Sequence, residues 1–274
     1  MKSGALIFLV AFAALSASWG GFVLAPQVQL GRATQTNMLG ADTLYPTAPT
    51  GLARQGMEVY RANGCVYCHS QQAGQEGTRC DVILTDLGTN APATLAVLAK
   101  FGITSQPASL PETVTQVPRV DAAAPILKEF TAAGAKAEVH IVPTGPDMAR
   151  GWGKRRSVAQ DYLFDSPVQL GTRRFGPDLS NIGMRQPDVN WHLRHLYAPD
   201  VEVKGSTMPP YRYLFNVRKI GRVPSPDALR LTSEAAPPEG YEVVSTPEAV
   251  ALATYLANLR ADAALYEAPL TPIK

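Results

Sequence analysis

The pentapeptide C-V-Y-C-H at residues 65–69 constrains this chain more than any other feature of its sequence. In such a motif the two thiols can add to the two vinyl groups of one porphyrin, and the histidine that follows falls beneath the iron. A redox-active cysteine pair needs no adjacent histidine, and a zinc site needs a second pair of ligands nearby, whereas only Cys80 remains. The motif therefore predicts one covalently bound c-type haem on Cys65 and Cys68, with His69 as the proximal iron ligand.

A haem that only passes electrons needs a second axial ligand, usually methionine or histidine. The candidates are Met57, Met148, Met184, Met208, His140, His192 and His195. Met208 is favoured because the proline-containing loop at residues 205–211 would present its thioether without a surrounding helix. Imidazole also binds haem iron, so His192 or His195 is the alternative, although the simpler interpretation of both is a half-buried helix face.

The N-terminal segment predicts a membrane anchor. After Lys2 no charged residue occurs before Arg32, and residues 4–25 are almost entirely apolar, a length that matches the roughly 20 residues needed to span a bilayer. A cleaved signal peptide is the alternative, because small residues follow the first apolar run, but the run resumes at residues 19–24. Lys2 favours a cytoplasmic N-terminus, so the rest of the chain is expected outside the cytoplasm. The lipid bilayer is thus an expected partner.

Between the anchor, assigned to residues 1–30, and the haem motif, the sequence predicts a linker and one helix. Residues 31–50 are rich in Pro, Thr and Gly, as is typical of a linker. A helix over residues 50–63 would carry the haem motif at its end, because Gly64 is a plausible stop signal.

Residues 80–143 predict a small α/β unit inserted into a helical domain. Its expected elements are a strand at 82–84, helices at 93–101 and 121–133, and a strand at 137–142. Beyond the insertion, helices are predicted at residues 187–197 and 246–260. The haem domain would therefore be split into residues 51–75 and 150–262.

Taken in order, these pieces resemble class I cytochromes c over residues 50–75 and 165–260. More specifically, they resemble the monohaem cytochrome c subunit, also called subunit II or the O subunit, of cbb3-type haem-copper oxidases. Besides the anchor and the haem motif, the resemblance rests on G-M-E-V-Y-R-A-N-G at 56–64, D-S-P at 165–167, G-T-R-R-F-G-P-D-L at 171–179, W-H-L-R-H-L at 191–196, M-P-P-Y at 208–211 and A-T-Y-L-A-N-L at 253–259. This combination is far more specific than C-x-x-C-H alone.

The resemblance implies a fold and a set of haem contacts. The expected fold is mainly α, a class I cytochrome c fold with an N-terminal transmembrane helix and a small α/β insertion. Pro177 would offer its carbonyl to the ring N–H of His69, which orients the imidazole. Arg185 and Trp191 would lie near the haem propionates, although a solvated basic loop is the simpler interpretation of Arg185.

The resemblance also implies a function. The chain would be a non-catalytic electron-transfer subunit that delivers single electrons to a catalytic haem-copper oxidase subunit, with other cytochrome c subunits as partners. Its expected location is the bacterial inner membrane, single-pass, with the haem domain on the periplasmic side. One predicted span without a histidine set offers no site for a high-spin haem and copper, so oxygen reduction would belong to the complex.

Alternatives to this function remain open. The chain could be the cytochrome c subunit or shuttle of another respiratory complex, such as nitric oxide reductase. A haem-based sensor or peroxidase, with a weak sixth ligand, belongs to another class. A net charge of +2 and the lack of a glycine-rich phosphate loop give no reason to expect nucleic acid as a partner.

The insertion itself departs from the family pattern, in which a shorter stretch joins the haem motif to G-P-D-L. Its segment I-L-K-E-F-T-A-A-G-A-K-A-E-V at 126–139 resembles the end of the C-terminal domain of the bacterial ribosomal stalk protein. No ribosomal role follows for an exported chain. A docking function for this unit is a further alternative, and Cys80 is expected to be a buried free thiol.

Overall fold

The computed structural model describes residues 3–232, 234–268 and 272–273. At the N-terminus, α1 (Gly4–Trp19) continues through a π-helical turn (Gly20–Leu24) into α2 (Ala25–Leu30). The apolar stretch of this helix has a mean hydropathy of 2.0, and none of it is buried. A helix of this length and composition could cross a membrane, which fits the predicted single-pass anchor.

The segment after the anchor folds back against the body of the protein. Here β1 (Thr36–Asn37) and β2 (Leu44–Tyr45) form a short antiparallel hairpin. The hydroxyl of Tyr45 donates a hydrogen bond of 2.8 Å to Asp161 Oδ1 in the body. We call residues 31–50 the strap, because specific contacts hold them in place.

The haem motif follows α3 (Gly51–Ala62), within one residue of the predicted helix. The buried face of α3 has helical spacing and consists of Ala53, Gly56, Met57 and Tyr60. Gly64 lies between α3 and the haem motif and has a φ of 69°, a left-handed conformation that favours glycine. A Cβ at Gly64 would also lie 2.9 Å from the ring of Tyr67. The motif then begins in a 3₁₀ turn, Cys65–Tyr67.

The inserted unit consists of three strands and two helices that enclose a core of their own. Its elements are β3 (Gly77–Asp86), α4 (Ala91–Ala99), β4 (Glu112–Val117), α5 (Val120–Ala132) and β5 (Lys136–Thr144). β3 lies between β4 and β5 and is antiparallel to both. Cys80 is 2% exposed in this core, as expected for a buried thiol. Gly77 pairs with Thr144, so the unit leaves and rejoins the body at adjacent positions.

The rest of the body is built around two packed helices. The elements after the insertion are α6 (Pro146–Ala149), a 3₁₀ turn (Ala159–Tyr162), α7 (Ile182–Arg185), α8 (Val189–Tyr197), α9 (Pro199–Glu202), a 3₁₀ turn (Arg212–Leu214), β6 (Phe215–Lys219), β7 (Tyr241–Ser245), α10 (Pro247–Asn258) and β8 (Pro272–Ile273). α3 and α10 approach so closely that the Ala251 carbonyl occupies the place where a Cβ at Gly56 would stand. The rings of Tyr60 and Tyr255 lie 5.5 Å apart across this contact. α8 packs on α10 and completes the core around the haem motif.

Strands contribute more to the fold than the sequence predicted. β3 and β5 extend beyond the predicted strands, β4 was not predicted, and β6 pairs with β7 in an antiparallel hairpin that was also not predicted. β8 adds to the edge of β5. The prediction of a mainly α chain therefore understates the sheets in the described part of the structure.

Candidate haem site

A cavity of about 600 Å³ lies beside the haem motif. Its volume is within the range of sites that hold cofactors, roughly 300–1,000 Å³. Cys65, Cys68 and His69 contribute to one part of the wall, and Met208 contributes to another. A second cavity, of about 310 Å³, lies between the strap and the body, but neither cysteine of the motif lines it. The thiols and the imidazole therefore identify the larger cavity as the candidate site.

The thiol of Cys65 lies in the wall of this cavity and is buried. Burial raises the pKa of Cys65 to about 12, so the free side chain is a neutral thiol at neutral pH. Among the described residues, no group of three or more His, Cys, Asp or Glu side chains is arranged to hold a metal ion.

The imidazole of His69 is held in one orientation by the main chain of residue 177. His69 Nδ1 lies 2.9 Å from the carbonyl oxygen of Pro177, where the ring N–H donates. The other ring nitrogen, Nε2, then carries the free lone pair that a metal requires. Burial lowers the pKa of His69, against the opposing effect of the Pro177 hydrogen bond, and so favours the neutral, ligand-competent imidazole.

Residues 170–179 run alongside the haem motif and cover the proximal side. Three backbone hydrogen bonds of 2.8–3.0 Å join residues 172–179 to residues 66–70. Gly176 lies against the imidazole ring, and a Cβ there would stand 2.6 Å from His69 Nδ1 and 2.9 Å from Nε2. The close approach of this backbone to the ring therefore requires glycine.

Met208 reaches the cavity from the loop between α9 and the 3₁₀ turn Arg212–Leu214. It is half-buried and packs against the core around α10. The loop is held where Tyr211 N donates to the carbonyl of Leu196 over 2.8 Å. Of the other sequence candidates, Met57, Met148, Met184 and His140 are all described by the structure and do not line the cavity.

Both alternative histidine ligands also line the cavity, but they differ in their partners. His192 Nε2 lies 2.8 Å from the carbonyl of Gln186 and is thereby engaged. His195 stacks on Trp191 with ring centroids 4.9 Å apart and planes 8° from parallel. Burial, together with the nearby His192, lowers the pKa of His195 to about 4, so the ring is neutral at physiological pH.

Three buried polar atoms on this cavity have no hydrogen-bond partner among the described residues: Tyr60 Oη, Arg185 Nε and His195 Nδ1. A buried polar group left unpaired costs about 1–3 kcal/mol, so three on one cavity indicate a bound group with polar atoms of its own. The carboxylates of a haem would accept such hydrogen bonds, and the apolar walls at Leu252 and Leu256 suit its macrocycle. The residues present therefore fit a haem.

A comparison with protein families shows which family one part of this chain resembles. Residues 141–225 match the family described as cytochrome C oxidase, mono-heme subunit/FixO. The segment is similar to an oxidase monohaem subunit. This confirms the resemblance predicted from the sequence. A comparison with curated proteins gave no match.

The match to the oxidase subunit covers Pro177, Arg185, Trp191 and Met208. It does not include the haem motif, which precedes residue 141 in the chain. All four of these residues line the cavity together with the motif, so separate parts of the chain meet there. The likeness of the inserted unit to the ribosomal stalk protein stays a prediction.

Sequence reasoning missed two groups of residues around this site. Tyr60 and Tyr211 line the cavity, and a signal for Tyr60 existed, because it lies on the buried face of α3 just before the motif. Asp178 is fully buried and accepts hydrogen bonds from Ser70 Oγ and Gln72 N at 2.5 and 2.7 Å. No local pattern indicates this contact, because the partners are more than a hundred residues apart in the chain.

Proposed function

We propose that this chain is a membrane-anchored monohaem cytochrome c that receives electrons and delivers them to the catalytic subunit of a cbb3-like terminal oxidase. The observation that carries the proposal is one cavity walled by Cys65, Cys68, His69 and Met208. The similarity of residues 141–225 to an oxidase monohaem subunit supports it independently. A bound haem would supply one-electron chemistry between Fe(II) and Fe(III).

The residues of the proximal and distal walls have distinct roles in this proposal. Cys65 and Cys68 would hold the macrocycle through thioether bonds. The carbonyl of Pro177 keeps the His69 ring in one tautomer and one orientation and increases its basicity. The soft thioether of Met208 would favour the reduced iron and so raise the reduction potential.

The remaining wall would control polarity around the macrocycle. Leu252 and Leu256 exclude water from one side, which favours rapid electron transfer because little solvent must reorganise. Tyr60, Arg185 and His195 would donate to the haem carboxylates, and a charged donor such as the guanidinium makes the strongest of these hydrogen bonds.

We also propose a domain organisation and a membrane orientation for the chain. We place residues 51–75 and 150–262 in one class I cytochrome c domain, because α3 from the first segment packs on α10 from the second. The inserted unit has a separate core. The haem domain would lie on the periplasmic side, since Lys2 is the one charge before the apolar run.

The ligand assignment is tested with the full-length chain produced in a host that attaches c-type haem. We expect a low-spin spectrum with a methionine–iron charge-transfer band that disappears in Met208→Ala. Met184→Ala is the matched control, because this methionine is 36% exposed and lies away from the cavity. An unchanged band in Met208→Ala would refute the ligand assignment, and His195→Ala would then be the next variant.

The partner assignment is tested by purification from membranes in mild detergent. Co-purification of a multi-span subunit that contains copper supports the oxidase. A multi-span partner without copper favours nitric oxide reductase. A chain that purifies alone and whose ferrous form binds carbon monoxide readily would favour the sensor or peroxidase.

A further inference from the structure

Arg174 joins three separate segments of the chain beside the proximal ligand. Its Nε donates to Ser70 Oγ over 2.8 Å, and its Nη1 donates to Asp147 Oδ1 over 3.0 Å. Its Nη2 lies 3.7 Å from Asp178 Oδ2. Ser70 follows the haem motif, Asp147 follows the inserted unit, and Asp178 belongs to the G-P-D-L segment.

The partly exposed guanidinium of Arg174 lies beside two buried carboxylates. The side chains of Asp147 and Asp178 are 8% and 0% exposed, whereas that of Arg174 is 38% exposed. A buried carboxylate is stable only when it is paired and hydrogen-bonded, so removal of the cation leaves an uncompensated charge. We call Asp147, Arg174 and Asp178 the proximal charge cluster.

The proximal charge cluster is connected directly to the haem-binding backbone. Asp178 follows Pro177, whose carbonyl holds the His69 ring. Asp178 also accepts from the backbone N–H groups of Gln72 and Ser180 at 2.7 and 2.8 Å. The position of the Asp178 carboxylate therefore determines where the Pro177 carbonyl points.

We propose that Arg174 is a positioning residue for the haem iron: through Asp178 it fixes the Pro177 carbonyl against His69 and thereby sets the reduction potential. The proposal rests on the proposed haem function. Asp147 lies where the inserted unit returns to the body, so this residue links that unit to the proximal side. Asp147 also accepts a hydrogen bond of 2.7 Å from Gly74 N.

Arg173 provides a matched control for the charge of Arg174. It is the preceding residue and is exposed, and its guanidinium lies 5.7 Å from the ring centroid of Phe175. Within the described residues it forms no ion pair. Arg173→Gln and Arg174→Gln each remove one positive charge from neighbouring positions, so a difference between them isolates the contacts of the proximal charge cluster.

The experiment is a redox titration of the full-length haem-loaded chain and its variants, together with EPR of the oxidised form. We expect Arg174→Gln to lower the potential by the equivalent of about tenfold in the reduction equilibrium, ~59 mV for one electron, because the unbalanced carboxylates favour Fe(III). Its g values should also change, since they report the orientation of the axial ligands. Arg173→Gln should change the potential much less and leave the g values in place.

Equal shifts in Arg173→Gln and Arg174→Gln, with unchanged g values, would overturn the positioning role. If Arg174→Gln does not accumulate, Arg174→Lys replaces it, with Arg173→Lys as its control. Lysine keeps the charge but loses the fork of donors, so Arg174→Lys should still change the g values, and identical spectra for the two lysine variants would overturn the proposal. A wild-type chain without a low-spin haem would instead refute the proposed function itself.

Discussion

Replacing Gly176 with alanine tests the geometry of the proximal side directly. In the structure, the new Cβ would stand 2.6 Å from His69 Nδ1 and 2.9 Å from Nε2. Real Cβ atoms do not approach other heavy atoms so closely, so either the ring or the backbone of residues 172–179 must move. Either movement would break the hydrogen bond of 2.9 Å between His69 and the Pro177 carbonyl.

The expected cost of Gly176→Ala can be estimated from these two effects. Forcing an extra carbon into a packed site costs about 1–3 kcal/mol, and loss of one buried hydrogen bond costs about 1 kcal/mol more. Gly221→Ala is the matched control, because the nearest atom to its added Cβ is the carbonyl oxygen of Val223 at 4.0 Å. The free energy of unfolding should therefore change in the first variant and hardly in the second.

The assay measures both haem content per chain and the denaturant midpoint. We expect Gly176→Ala to bind less haem and to unfold at lower denaturant concentration than the wild type. If its haem content, absorption spectrum and midpoint all equal those of Gly221→Ala, the close contact between residue 176 and the imidazole does not exist, and the argument for the proximal wall is wrong.

Three further predictions concern the rest of the body. Asp161→Asn should lower the free energy of unfolding by about 3–5 kcal/mol in chemical denaturation, because it leaves the guanidinium of Arg155, whose side chain is 0% exposed, without its partner. Asp121→Asn is the control: it breaks an exposed ion pair and should lower that free energy by at most about 1 kcal/mol. Equal losses in the two variants would contradict this prediction. Burial raises the pKa of Asp165 from 3.8 to about 6, so the native state binds its proton more tightly and stability falls as pH rises between these values. Asp165→Asn should remove that fall, making the variant more stable than the wild type at pH 7 but not below pH 4 in urea titrations, and parallel pH profiles would count against it. Deleting residues 77–144 should leave the haem spectrum intact, because β3 and β5 meet the body side by side, and loss of haem would show that the insertion is needed for the site.

Much of the local structure followed from the sequence. The helices α3, α8 and α10 were predicted within a few residues, because each combines a helical spacing of apolar residues with a recognisable start or stop. At the start of α10, Thr246 accepts from Ala249 N as its cap. The elements that were missed are β4 and the β6–β7 hairpin. β4 reads E-T-V-T-Q-V, and β6 and β7 are separated by a long irregular segment, so their pairing partners are not indicated locally.

By itself, the sequence determined the chemistry of the candidate site. Covalent haem attachment and proximal ligation depend on spacing within five residues, so the pattern at residues 65–69 is sufficient to predict them. The tertiary structure alone decided which groups surround that motif. Tyr60, Arg185 and His195 converge on one cavity, and Arg174 joins the buried carboxylate of Asp147, from a distant segment, to that of Asp178. Such contacts depend on how helices and loops pack across long separations, and no short-range pattern of residues encodes that packing.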